Sequence, residues 1–255
     1  MTSELITILC RSDNYAFILR CTQTGAVGVF DAPEAAPILD ALEARGWGCD
    51  TLFITHHHND HVDGLAEIAA KTGCEVVGAA ADTHRIEGIT ASVVEGDKVH
   101  LGALEGHVLD VSGHTIGHVA YHFPKAKAAF TADSLMALGC GRLFEGTAEQ
   151  MWTSLSKLAA LPGETLICSG HEYTEANLAF AETIEPDSPA LATRGAAIRA
   201  ARAKGAPTVP SLLADERATN PFLRATAPDV KAHLGLPEAT DAESFAEIRA
   251  RKDRF

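Results

Sequence analysis

The sequence predicts an α/β protein in which two sheets carry helices on their outer faces, followed by a mostly helical region from about residue 173. Three observations predict it. Short runs rich in Ile, Leu, Val and Phe recur up to about residue 172, and amphipathic helical segments interrupt or follow them. After "ETLICSGHEYT" the strand signals fade, and the remaining helical pattern is broken by Pro186, Pro207, Pro210 and Pro221.

The elements follow in order. "ELITILC", "NYAFILRC" and "AVGVFDA" are strands separated by polar or Gly-containing turns, an antiparallel start. "PEAAPILDALEARG" spaces Ile38, Leu39 and Leu42 at helical intervals and ends on Gly46, suited to a C-cap. "DTLFIT" is a buried strand running into a histidine-rich loop, and "DGLAEIAAKTG" is the helix that follows it. "CEVVGAA", "ASVVEGDKVHLG", "LEGHVLDVSG", "HVAYHFP" and "AAFTAD" form a second run of strands, closed by the helix "TAEQMWTSLSKLAALPG".

Composition limits the function. With 255 residues, 46% hydrophobic and 22% charged, the chain is long enough to bury a full core. A formal charge of −13 opposes nucleic-acid backbones and anionic lipid surfaces. No segment approaches the ~20 apolar residues of a membrane span, and the N-terminus lacks a basic start followed by an apolar run, so a cytoplasmic protein is expected. Six cysteines without a CxxC pair read as reduced, packed thiols, Cys140 and Cys168 included, so a metal here would be held by nitrogen and oxygen. The glycines of "GAVG" and "LGCG" lack a nucleotide-binding spacing and read as turns.

The chemistry concentrates in "THHHNDH", residues 55 to 61. In an extended segment residues two apart share a side, so His56 and His58 can converge while His57 faces away. Asp60 and His61 follow on the turn, where the chain can direct a second pair toward a neighbouring point. Crowding four imidazoles and a carboxylate at a strand end without a metal carries desolvation and like-charge costs. One segment supplies only part of two shells. Further donors are expected at other strand ends, and His114 in "VSGHTIGH", Asp133 in "FTADSL" and His171 in "CSGHEYT" each follow an apolar strand. His84, His100, His107, His118, His122 and His233 lack that context and read as structural or surface residues.

"THHHNDH" resembles the T-H-x-H-x-D-H signature of the metallo-β-lactamase superfamily, and its combination with "SGHT", "TADS" and "SGHEYT" resembles a dinuclear member. "GCGRLFEGTAEQM", "HEYTEANLAFA", "PTVPSLLADERATNPFLR" and the terminal "RARKDRF" are similar to glyoxalase II, the hydroxyacylglutathione hydrolase family, over nearly the whole chain. The resemblance implies an αββα metallo-β-lactamase-like sandwich over residues 1–172 and a helical substrate-binding domain over 173–255. It places His56, His58 and His114 on one metal, Asp60, His61 and His171 on a second, and Asp133 between them, with Asp60 and Asp133 as the catalytic carboxylates. The implied cofactor is two divalent ions, zinc foremost, although this donor set also suits iron or manganese.

The same resemblance puts glutathione contacts on Arg142, Phe144, Tyr173, Arg249 and Lys252, with Phe144 where many members carry Tyr. Independently of it, Arg249 and Lys252 are three apart on a helical pattern and, with Arg251 and Arg254, concentrate positive charge in an acidic chain, an anion-binding feature or a helix end that favours cations. The implied activity is hydrolysis of S-(2-hydroxyacyl)glutathione thioesters, S-D-lactoylglutathione foremost, by a hydroxide shared between two metals, the second step of methylglyoxal detoxification, in a monomer. The alternative on the same fold is a glutathione persulfide dioxygenase with one iron, which shares "HxHxDH" and the small-thiol partner. Such enzymes usually lack the long helical tail ending in "KDRF".

Overall fold

A computed structural model describes residues 2–255. Its packing divides the chain into two compact units. The first runs to Asp110 and resumes over Ile116–Ala132, and the second comprises Val111–Thr115 and Asp133–Phe255.

In the first unit, β1 (Ser3–Cys10), β2 (Asn14–Cys21) and β3 (Val27–Phe30) pair antiparallel, as the three apolar runs require. Crossover helices then reverse the logic. Helix α1 (Ala35–Glu43) leads to β4 (Thr51–Phe53), and the one-turn helix α2 (Asn59–Val62) with α3 (Leu65–Thr72) leads to β5 (Glu75–Ala79), so β3, β4, β5 and β6 (Ala91–Val93) lie parallel. Helix α1 is capped by Ala44, two residues before the expected Gly46, which instead turns the chain with φ 64°. Gly73 does cap α3 in the left-handed region. The apolar faces of α1 (Ala35, Ile38, Leu42) and α3 (Leu65, Ile68) join Ile18, Val29, Leu52 and Val76 in one core cluster, which covers one face of the sheet.

A second set of strands, β7 (Lys98–Leu101), β8 (Leu104–Asp110), β9 (Val119–Phe123) and β10 (Ala128–Ala132), pairs antiparallel throughout. Aromatic side chains from both sets meet in the interior: Phe30 stacks on Phe53 at 4.8 Å and meets Phe123 edge-on at 5.7 Å, and Phe17 meets Phe130 at 5.9 Å. Such pairs add roughly 0.5–1.5 kcal/mol each beyond burial. Gly106 on β8 lets Phe123 lie close, since a Cβ there would stand 2.7 Å from the ring. Tyr121 is fully buried and gives its hydroxyl proton to the Ile54 carbonyl at 2.9 Å.

The second unit contains a small hairpin, β11 (Leu135–Met136) and β12 (Gly139–Cys140), which carries no strand signal in the sequence. Helix α4 (Ala148–Ala159) starts on a capping box between Thr147 and Gln150. The strand β13 (Leu166–Ser169) pairs with a two-residue strand, β14 (Ser211–Leu212). The rest is helical: α5 (Thr174–Ile184), α6 (Pro189–Arg202), α7 (Leu213–Thr219), α8 (Pro228–Leu234) and α9 (Asp241–Arg254).

Polar side chains of this helical region hold the hairpin. Asn177 donates to the Ala137 carbonyl at 3.0 Å, and Asn220 donates to those of Met136 at 3.1 Å and Gly139 at 3.0 Å. Glu216, fully buried, accepts from the Leu138 backbone at 2.8 Å and from Asn220 at 3.1 Å, and its charge is balanced by Arg194. The buried Glu216, Asn177 and Asn220 side chains are thereby matched, which a low-dielectric interior demands. No described helix is long and apolar enough to cross a membrane.

Candidate metal centre

Ligating side chains gather where strands end. In the first unit β3 and β4 run side by side and parallel, so the residues that follow them emerge together: Asp31 after β3, then Thr55 and His56 after β4. The fully buried His56 lies with Nε2 3.1 Å from Nδ1 of His58, and the intervening His57 turns instead to Asp82 at 3.5 Å, with Arg85 donating to its other nitrogen at 3.4 Å. Asp60 and His61 sit on α2, with His61 Nε2 3.9 Å from an Asp60 oxygen.

Proton positions within this group follow from one carboxylate. Asp31 is buried at φ 58°, a left-handed backbone that Asp tolerates better than most residues. It accepts from the Thr55 backbone at 2.8 Å, the Thr55 hydroxyl at 2.9 Å and His61 Nδ1 at 2.8 Å. Since the Thr55 hydroxyl donates to Asp31, its contact with His56 Nδ1 at 3.0 Å has the ring donating, which leaves the His56 lone pair on Nε2. His61 likewise carries its lone pair on Nε2. Asn14 donates to both a carboxylate oxygen of Asp60, at 3.1 Å, and its carbonyl, at 3.0 Å.

In the second unit, His114 and His171 converge on one carboxylate oxygen. Their Nε2 atoms lie 3.5 and 3.3 Å from Oδ2 of Asp133. His114 donates Nδ1–H to the Arg142 carbonyl at 2.8 Å, so its lone pair also falls on Nε2. Gly141 makes this approach possible: a Cβ would stand 1.9 Å from the Asp133 carbonyl oxygen and 2.9 Å from His114 Nδ1. All seven donors are nitrogen or oxygen, and lone pairs fixed by hydrogen bonds to carboxylate, hydroxyl and carbonyl groups suit a divalent ion.

Phe144, an exposed ring, packs on His114 with centroids 5.2 Å apart, and Tyr173, also exposed, stacks on His171 at 4.6 Å. The Arg142 side chain is largely exposed and reaches Asp253 at 3.5 Å. Arg249 is more committed. Only 6% exposed, it donates to the Cys140 carbonyl at 3.1 Å and to Asp253 at 3.1 and 2.8 Å, with its guanidinium over Phe222. Lys252 donates to the Ala176 carbonyl at 3.0 Å between the rings of Phe180 and Phe255, and burial, with Arg249 nearby, lowers its pKa to about 8.

All six cysteines are free and buried. Burial raises Cys140 to about 11 and pushes Cys168 up further, so neither offers a thiolate near neutral pH. Sequence reasoning missed Asp31, Thr55 as its partner, and Asn14. Asp31 carries the signal that singled out Asp133, an acid directly after an apolar strand, in "GVFDA". His118, read as structural, is fully buried and stacks on His56 at 4.5 Å.

The metallo-β-lactamase superfamily pattern matches residues 24–171, and that of the hydroxyacylglutathione hydrolase C-terminus matches residues 172–255. The crystal structure of ETHE1 from Myxococcus xanthus superposes with a TM-score of 0.69 at 23% identity, covering 97% of this chain and 90% of its own, a likeness of fold. The fold and donor set thus define a divalent-metal-binding protein of the metallo-β-lactamase superfamily, an αββα fold followed by a C-terminal helical region. Proteins named hydroxyacylglutathione hydrolase from Cereibacter sphaeroides and Ruegeria pomeroyi are 59% and 57% identical, each over the full length of both chains. The chain belongs to the hydroxyacylglutathione hydrolase family.

Proposed function

We propose that the protein hydrolyses S-(2-hydroxyacyl)glutathione thioesters, with S-D-lactoylglutathione as the principal substrate, to the hydroxy acid and free glutathione. The observation that carries this reading is the end-to-end identity of 59% with a hydroxyacylglutathione hydrolase. The reading assigns His56, His58 and His114 to one divalent ion and Asp60, His61 and His171 to a second, with Asp133 bridging, and zinc as the metal. When bound, two such ions supply Lewis-acid activation of a water and of the thioester carbonyl.

The chain's own groups set up that chemistry. Asp31, Thr55 and the Arg142 carbonyl fix the tautomers and ring orientations that leave the lone pairs of His56, His61 and His114 on Nε2. In this reading the exposed rings of Phe144 and Tyr173 flank the substrate, and Phe144, without a hydroxyl, contributes packing alone. The substrate domain is residues 173–255. The glutathione carboxylates pair with Arg142 and Lys252, and Arg249 adds positive field while holding Asp253 and the Cys140 carbonyl. The departing thiolate needs little protonation, which fits a set of residues with no evident general acid.

In this reading the protein serves methylglyoxal detoxification as a monomer in the cytoplasm, and six free thiols, which such a reducing compartment keeps reduced, support it. The test is loss of thioester absorbance when zinc-loaded protein meets S-D-lactoylglutathione, with elemental analysis of the same sample. Turnover with two ions per chain is the expected result. No turnover, or a single iron with oxygen uptake on glutathione persulfide, overturns it.

A further inference from the structure

Three histidines and a glutamate that the metal centre does not use lie on adjacent strands of the first unit. His107 on β8 stands directly opposite His122 on β9, and Glu105, two residues before His107, stands opposite His100 on β7. The period of two along a strand puts Glu105 and His107 on one face, and cross-strand partners share that face. The distances agree. His107 Nε2 lies 3.8 Å from one Glu105 oxygen and His100 Nε2 3.8 Å from the other, while the rings of His107 and His122 are 6.5 Å apart.

His122 is the informative member. It is 7% exposed, and its buried Nε2 has no hydrogen-bond partner. An imidazole nitrogen left in that condition has lost its hydration without gaining a protein partner. Burial, and then the neighbouring His107, lower its pKa, so the ring is neutral at pH 7 and carries a lone pair. Directly opposed residues of antiparallel strands have Cβ atoms about 4.5–5.5 Å apart, a span from which two imidazoles reach one ion at about 2.0–2.1 Å.

We propose that His107 and His122, with Glu105 as oxygen donor, form a second, peripheral site for a divalent transition-metal ion of the zinc or nickel class. Binding requires His107, which is partly exposed, to rotate toward His122. Lys98, 3.1 Å from Glu105, must release that carboxylate, and His100 is the nearest candidate for a further ligand. Free coordination positions are filled by water, as in an exposed three-donor site.

The test is a zinc titration of the full chain, already loaded with its tightly held metal, read as bound zinc per chain by equilibrium dialysis and elemental analysis. Wild type is expected to bind one ion more per chain than His107→Asn. Thioester hydrolysis by the loaded protein is expected to be the same in both. His122→Asn should lose the same ion, and if that variant fails to fold, His107→Asn decides, because its side chain is partly exposed and outside the core. Equal stoichiometry in wild type and His107→Asn overturns the proposal, as does an extra ion that persists in the variant.

Discussion

Asp31 accepts the Nδ1 proton of His61 at 2.8 Å while also holding the backbone and hydroxyl of Thr55. Three donors on one buried carboxylate tie the residue after β3 to the residues after β4, and so tie an imidazole's orientation to the register of two parallel strands. Asp31→Ala should therefore weaken metal binding by about 10–100-fold, the range usual for loss of a ligand's hydrogen-bond partner. Competition with a chromophoric chelator measures it, and unchanged affinity would show that the strands alone orient His61.

Asp133 faces two imidazole nitrogens with a single carboxylate oxygen. Asp133→Asn keeps the size and removes the charge. Metal content by elemental analysis should fall by at least one ion per chain, and thioester turnover should fall with it. Full occupancy with lost turnover would move Asp133 from holding metal to a role in the reaction itself.

Gly141 makes the same point through space instead of charge. Its missing Cβ leaves room for the Asp133 carbonyl and the His114 ring, so Gly141→Ala must push one of them aside. Overpacking of this kind costs roughly 1–3 kcal/mol. The expected result is a lower melting temperature together with reduced metal content. A variant that melts lower yet binds metal normally would show that the strain relaxes away from His114.

Much of this was legible in the sequence, for identifiable reasons. His56, His114, Asp133 and His171 each come just after a strand-forming segment, a local signal. The hairpin Leu135–Cys140 was not legible, because its two-residue strands depend on Asn177, Glu216 and Asn220, 40 to 84 residues away in the chain. Asp31 was overlooked because it lies 24 residues before Thr55 and meets it only once β3 and β4 pair. The commitment of Arg249 to Cys140 and Asp253 is equally invisible in a helical pattern that shows only a basic face.

The Glu216 network tests how much that hairpin depends on its clamp. Removing Glu216 leaves Arg194 without its buried counter-charge and the Leu138 amide and Asn220 without their acceptor. Breaking one partner of a buried pair costs about 3–5 kcal/mol. Glu216→Ala should lower unfolding free energy by that order in chemical denaturation, and a loss under 1 kcal/mol would show that water replaces the carboxylate.

Lys252 sets an expectation for pH. Burial, then Arg249, lowers its pKa to about 8, so its ammonium is present below that pH and is lost as pH rises through it. The glutathione carboxylates stay ionised across this range. Pairing with Lys252 should therefore weaken with alkaline pH, so KM rises above about pH 8 while kcat changes less, the pattern of a contact remote from the reacting carbon. Lys252→Arg, charged at every working pH, should flatten the rise, and Lys252→Gln should show the raised KM at pH 7 already. Initial-rate measurements from pH 6.5 to 9.5 decide it. If KM in Lys252→Gln matches wild type at pH 7, Lys252 does not meet the substrate, and its charge serves only the end of α9, where Ala176, Phe180 and Phe255 surround it.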